Sequence, residues 1–113
     1  MHEMSIAQNI VEIVEDALRD EVDPDVERVV VKIGRLVAVV PDSLDFCFTA
    51  ITQGTPLANS QLVIEEIPFQ VRCKGCDKTS QVESFVFRCP ECGNVKLETI
   101  TGHELFVSHI EVH

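Results

Sequence analysis

The sequence predicts an α+β fold, in which a small mixed sheet with two helices carries an inserted module with four cysteines. Three observations support this prediction: two segments with helical apolar spacing, a β-branched run between them, and a later stretch rich in cysteine and turn residues. The chain has 113 residues, of which 45% are hydrophobic and 25% charged, a composition typical of a folded globular protein. This length suits one compact domain plus a small module.

The first predicted element is an amphipathic helix. Its apolar residues recur at three- and four-residue spacing, and polar residues fill the other face. The apolar set is Ile6, Ala7, Ile10, Val11, Ile13, Val14, Ala17 and Leu18. Ser5 followed by Gln8 fits a capping box at the helix start. Pro24, within the acidic segment 20–25, ends the helix in a loop.

A strand, a second helix and another strand are expected next. Residues 26–40 are rich in β-branched side chains, which favours a long strand with a bulge at Gly34. Pro41 and Asp42 open a helix, whose apolar face carries Leu44, Cys47, Phe48 and Ile51. Residues 62–67 form the following strand. Such a succession usually makes a right-handed parallel crossover.

The domain organisation follows from a change in composition at residue 69. Residues 69–98 contain four cysteines and few aliphatic residues, whereas residues 105–112 again read as a strand that returns to the main sheet. We therefore predict one domain formed by residues 1–68 and 99–113. Residues 69–98 form a metal-binding module inserted into it.

The cysteines follow the pattern Cys73-Lys-Gly-Cys76, twelve intervening residues, then Cys89-Pro-Glu-Cys92. Each C-x-x-C turn directs two sulfurs to one ion, and two turns complete a tetrahedron of the kind that zinc prefers. Four thiolates leave no position for water or substrate, which makes the zinc structural. The sequence thus predicts a four-cysteine zinc-ribbon module whose fold depends on the metal.

Other interpretations of the cysteines are a redox dithiol or two disulfides. In thioredoxin-like proteins a single C-x-x-C motif lies beside a βαβ pattern, whereas this sequence has two C-x-x-C turns at zinc-ribbon spacing. A zinc hydrolase needs an open coordination position, which four cysteines do not provide. The fifth cysteine, Cys47, lies on the apolar face of the second predicted helix, and we interpret it as a small buried hydrophobic residue.

The charge balance restricts the classes of partner. Nine basic and nineteen acidic residues give a formal charge of -10, which disfavours binding to nucleic acid or anionic membranes. No apolar run approaches the roughly 20 residues that span a bilayer. We expect a cytoplasmic protein, in a reducing compartment where paired cysteines bind metal.

A second metal site is suggested by the start of the chain, Met1-His2-Glu3. The Met1 amine, the His2 backbone nitrogen and the His2 imidazole can form two adjacent chelate rings on one ion. Three nitrogens in a plane suit Ni(II) or Cu(II) better than Zn(II), and the open fourth position suits transfer of the ion. Glu3 completes the shell or acts beside it. Three later histidines are either auxiliary ligands or ordinary exposed residues: His103, His109 and His113.

Taken together, these features resemble the HypA family. The resemblance rests on Met1-His2-Glu3, the amphipathic helix, the strand 29–33 followed by glycine, and the two cysteine turns, and it covers nearly the entire chain. It implies a nickel chaperone rather than an enzyme. In that role His2, with the Met1 amine and backbone, binds Ni(II), Glu3 supports the nickel site, and the four cysteines bind Zn(II).

The resemblance also implies partners. These are the GTPase HypB and the large subunit of nickel–iron hydrogenase, into which nickel is inserted after the iron centre; we expect a monomer or weak homodimer. Some family members carry a nickel-binding histidine between the cysteine turns, but the spacer 77–88 here contains none. The alternative function is a zinc-ribbon protein-interaction adaptor without specific nickel binding.

Overall fold

The structure is a computed structural model, and it describes residues 2–82 and 87–113. In these residues it has two helices and six strands, which form two three-stranded sheets. The elements are α1 (Glu3–Ala17), β1 (Val26–Gly34), a 3-10 turn (Arg35–Val37), α2 (Pro41–Ile51), β2 (Gln61–Ile67), β3 (Gln70–Cys73), β4 (Thr79–Gln81), β5 (Leu97–Thr101) and β6 (Leu105–Val112). The strand orders are β2-β1-β6 and β4-β3-β5. The predicted α+β class with two helices is therefore confirmed.

The chain divides into two compact units. The helical unit comprises Met1–Lys32, Val39–Glu65 and Phe106–His113, and the cysteine unit comprises Ile33–Ala38 and Glu66–Leu105. None of the helices among residues 2–82 and 87–113 is long and apolar enough to cross a bilayer.

The helical unit has an apolar core formed by both helices and the central strand β1. Five of the predicted apolar residues of the first helix face inward, Ile6, Ala7, Ile10, Val11 and Val14, whereas Ile13 and Ala17 are exposed and Leu18 lies beyond the helix end. Helix α1 packs against α2. The buried side chains from the three elements are Ile6, Ala7, Ile10, Val11, Val14, Val26, Val29, Val30, Val31, Leu44 and Phe48.

Strand β6 returns to the main sheet, as predicted. It lies beside β1, and the His113 N–H donates to the Asp25 carbonyl at 3.0 Å. At the other end of the pair the Gly34 N–H donates to the Glu104 carbonyl at 2.7 Å. The two strands therefore run antiparallel. Strand β2 lies on the other side of β1.

Two predicted boundaries were wrong. Strand β1 stops at Gly34 instead of continuing to Val40, because residues 35–37 form a 3-10 turn and Ala38 then adopts a left-handed conformation with φ 59°. Gly34 lies so close to Gly102 that a Cβ would come within 2.0 Å of the Gly102 carbonyl oxygen. Helix α1 begins at Glu3, with His2 as N-cap and no side-chain cap. Ser5 therefore lies within the first turn and forms no capping box.

The cysteine unit contains the second sheet, with β3 paired antiparallel to both β4 and β5. Its buried apolar cluster is small: Phe69, Val71 and Val82, with Leu36 and Leu97 packed against it. Such a cluster provides much less buried apolar area than the core of the helical unit.

Candidate metal centres

The four predicted cysteine ligands come together in the cysteine unit. Their sulfurs all lie within 4.8 Å of one another; the Cys73 and Cys92 sulfurs are 3.5 Å apart and the Cys76 and Cys89 sulfurs 3.7 Å. A zinc ion with bonds of about 2.3 Å holds tetrahedral sulfurs roughly 3.8 Å apart. The spacing and the soft donor set thus fit a tetrahedral metal site.

The two C-x-x-C turns have the same backbone geometry. In each, the residue after the second cysteine donates its N–H to the carbonyl of the first: Asp77 to Cys73 and Gly93 to Cys89, both at 2.8 Å. These donors adopt left-handed conformations, with φ 62° at Asp77 and 77° at Gly93. Glycine adopts this conformation freely, and aspartate tolerates it better than most residues. The repeated turn makes each pair of sulfurs converge.

Backbone N–H groups stabilise the thiolate form of the first cysteine in each turn. The N–H groups of Gly75 and Cys76 lie 3.3 and 3.4 Å from the Cys73 sulfur. The Cys76 N–H lowers the pKa of Cys73 to about 6, against the opposing effect of burial and with help from Gly75. The pKa of Cys89 is lowered in the same way, chiefly by the Cys92 N–H.

The second cysteine of each turn has the opposite shift. The Asn94 N–H favours the thiolate of Cys92, but the neighbouring sulfurs and burial outweigh it and raise the pKa of Cys92 to about 12. The pKa of Cys76 is also raised: the Lys78 N–H lowers it, but burial and the Cys73 and Cys89 sulfurs prevail. Four thiolates so close together therefore need a cation among them. Cys47 lies on α2 in the helical unit and is not part of this cluster; it is only partly buried, so its interpretation as a buried residue was wrong.

At the start of the helical unit, His2 is the exposed N-cap of α1. Its backbone is extended, with φ −89° and ψ 95°, and its carbonyl accepts the Ile6 N–H at 3.2 Å. The α-helical ladder uses the carbonyl of an N-cap residue but not its N–H. The backbone N–H of His2 therefore makes no hydrogen bond within the helix. Met1 lies outside the described residues.

The Glu3 carboxylate has a protein partner that sequence reasoning missed. Its Oε2 accepts the backbone N–H of Val40 at 3.2 Å, which lowers the pKa of Glu3. Val40 is the N-cap of α2, has no side-chain cap of its own and precedes Pro41. Glu3 thus does across two helices what the glutamate of a capping box does within one. The sequence feature that indicates such a partner is the start of α2 at Pro41, which is preceded by Val40, a residue whose side chain cannot cap a helix.

Comparisons with known proteins identify the family to which this chain belongs. A family model described as "Hydrogenase/urease nickel incorporation, metallochaperone, hypA" matches residues 1–112. The chain belongs to the HypA family. It is 45% identical over 113 residues to the hydrogenase maturation factor HypA of Desulfatibacillum aliphaticivorans, covering 99% of this chain and 87% of that protein. It is 43% identical to the same factor of Desulfosudis oleivorans, covering 99% and 98%.

Two solution structures share the fold. One is the Ni metallochaperone HypA from Helicobacter pylori, with a TM-score of 0.67, 21% identity, and coverage of 99% of this chain and 97% of that chain. The other is described as HypA protein, with a TM-score of 0.70, 21% identity, and coverage of 100% and 97%. These two structures show that this chain has the HypA fold. The family description and the named relatives make HypA a family of nickel metallochaperones for hydrogenase maturation.

Charge is unevenly distributed in this HypA family member. The helical unit carries thirteen of the nineteen acidic residues and three of the nine basic ones, which gives it the entire formal charge of -10. In the cysteine unit, the remaining six acidic and six basic residues cancel. The candidate N-terminal site therefore belongs to a strongly anionic unit, whereas the cysteine site belongs to a formally neutral one.

Proposed function

We propose that this chain binds Ni(II) at its N terminus and inserts it into the large subunit of nickel–iron hydrogenase during maturation. It acts in the cytoplasm with the GTPase HypB, as a monomer or weak homodimer, and catalyses no reaction. Membership of the HypA family supports this role. The proposed nickel ligands are the Met1 amine, the His2 backbone nitrogen and the His2 imidazole.

The observation that carries the nickel proposal is the position of His2. It is exposed at the first turn of α1, and the helical hydrogen bonds leave its amide nitrogen unused. Its side chain, its amide and the preceding amine can therefore surround one ion in a plane, the geometry that Ni(II) accepts readily. The vacant fourth position gives an acceptor protein access to the ion.

Glu3 supports this site from beside it. Its hydrogen bond to Val40 fixes the first turn of α1 against the start of α2, which positions His2 at the surface. We assign Glu3 this supporting role, which orients the ligands of a metal rather than supplying one.

For the cysteine cluster we propose one structural Zn(II) held by Cys73, Cys76, Cys89 and Cys92. The sulfur spacing and the N–H groups directed at the thiolates support it. A zinc ion bound there would offset half of the charge of the four thiolates and fix the two turns. Since the donor set fills a tetrahedron, the site holds its ion instead of passing it on.

Titration of Ni(II) into zinc-loaded protein with a native N terminus tests the nickel proposal. His2→Ala and an Nα-acetylated chain should both lose affinity by at least about tenfold and lose the absorption of planar Ni(II), since each lacks one of the three nitrogens. His103→Ala is the matched control, because it removes an exposed histidine elsewhere. Equal affinity of all four proteins would contradict the proposal and favour a zinc-ribbon adaptor.

A further inference from the structure

Five side chains of the helical unit form a connected chain across β1 and the end of β6. His109 Nε2 lies 3.1 Å from Glu111 Oε2, and Arg28 donates to the other Glu111 oxygen at 2.7 Å. Arg28 also lies 3.6 Å from Glu27, whose second oxygen is 3.9 Å from His113 Nε2. One guanidinium thus separates two pairs of histidine and carboxylate.

The pair formed by His109 and Glu111 has the spacing of two ligands on one metal ion. The residues are two apart on a strand, so their side chains share a face. With bonds of about 2.1 Å, neighbouring nitrogen and oxygen ligands lie roughly 3.0 Å apart at a right angle and 3.4 Å apart at a tetrahedral angle. The observed separation of 3.1 Å falls between these values.

His109 and Glu111 each have a further polar partner, of the kind that orients the side chains of metal ligands. The second ring nitrogen of His109, Nδ1, lies 3.2 Å from the Ser108 hydroxyl, which leaves Nε2 facing Glu111. Arg28 holds one carboxylate oxygen and leaves the other facing His109. Metal-binding histidines and carboxylates typically have such partners on their remaining polar atoms.

We propose that His109 Nε2 and Glu111 Oε2 bind a divalent transition-metal ion, with water completing its coordination. An imidazole with a carboxylate suits Ni(II), Zn(II) or Cu(II) rather than Mg(II). Half of the His109 side chain is exposed, so the ion reaches the pair directly from solvent. Two protein ligands make this a weak, exchangeable site, and it uses none of the residues assigned to the N-terminal nickel site.

The test is Ni(II) titration followed by NMR of the zinc-loaded full chain in a His2→Ala background. Ni(II) with several water ligands is paramagnetic, so binding at the proposed pair should broaden the amide signals of residues 108–112. The broadening should disappear in His2→Ala/His109→Ala and persist in His2→Ala/His103→Ala. Mg(II) should leave these signals unchanged. Ser108→Ala should weaken binding by roughly tenfold, the lower end for loss of a group that orients a ligand.

The proposal is overturned if residues 108–112 are not broadened, or if their broadening survives in His2→Ala/His109→Ala. An unchanged spectrum without nickel shows that each variant remains folded. Because every protein in this series lacks His2, the result is independent of the N-terminal site. Failure of the nickel proposal for His2 would leave the His109 test unaffected.

Discussion

The two candidate metal centres differ in what the protein provides around the ion. At the proposed N-terminal centre, one exposed histidine and its backbone offer few ligands, and the Glu3 carboxylate accepts the Val40 N–H beside them. In the cysteine unit, four sulfurs converge and backbone N–H groups point at the first thiolate of each turn. A site with a vacant position exchanges its ion with other ligands, whereas a filled tetrahedron retains it. The proposed N-terminal centre therefore suits transfer of its ion, and the proposed cysteine centre suits a structural role.

The units that carry these centres also differ in their source of stability. The helical unit buries apolar side chains from two helices and a central strand. The cysteine unit has a small buried apolar cluster, formed by Phe69, Val71 and Val82, in addition to its four cysteines. We expect the first unit to depend on packing and the second on its metal.

Removal of the metal from the cysteine site should have the largest effect on the stability of one unit relative to the other. Cys73→Ser replaces a buried cysteine of the cluster, and binding of a structural zinc contributes on the order of 10–16 kcal/mol in small modules. The variant should lose bound zinc and the dispersed NMR signals of residues 66–105, while those of residues 3–32 persist. Cys47→Ser is the matched control, because Cys47 lies outside the cluster. Retention of one zinc per chain by Cys73→Ser would show that the centre does not need four thiolates.

The converse change is removal of packing from the helical unit. Phe48 is 1% exposed, and truncation of such a side chain costs about 3–5 kcal/mol. In chemical denaturation, Phe48→Ala should destabilise the helical unit by this amount while the protein retains its zinc. Phe46→Ala, two residues away on the same helix and 74% exposed, should change stability by less than about 0.5 kcal/mol. Equal effects of the two variants would mean that α2 does not pack as described.

The smallest expected effect concerns the support given by Glu3. Glu3→Gln keeps the shape of the side chain but removes the charge that accepts the Val40 N–H, and charged acceptors form the stronger hydrogen bonds. The Val40 amide resonance should shift upfield, and nickel affinity should fall by less than it does in His2→Ala. Glu12→Gln, on the exposed side of the same helix, controls for the loss of one charge. If Glu3→Gln weakens nickel binding as much as His2→Ala does, Glu3 is a ligand.

Features that depend on local spacing could be predicted from the sequence. Helix α2 starts at Pro41 as predicted, because proline suits the first helical turn. The two helices and the return of β6 to the sheet followed from apolar periodicity. The C-x-x-C spacing predicted which four side chains meet, and the structure brings their sulfurs together.

Features that depend on contacts between distant segments could not be predicted. The hydrogen bond from Val40 to Glu3 joins residues 37 positions apart, and no local pattern encodes such a pair. Strand β1 ends where Gly34 meets the backbone of Gly102, although its β-branched composition continues to Val40. The predicted capping box at Ser5 was also wrong. The sequence pattern is present, but the helix begins at Glu3, so Ser5 lies inside its first turn.

The unequal charge of the two units has a consequence for the kinetics of metal capture. A formal charge of -10 on the helical unit surrounds that unit with an ionic atmosphere enriched in counterions. A divalent ion gains twice the electrostatic energy of a monovalent one at the same potential, so it is enriched more strongly. The enrichment extends over a Debye length of about 10 Å at 0.1 M salt. The salt concentration of the surrounding solution should therefore change the rate at which Ni(II) reaches the helical unit.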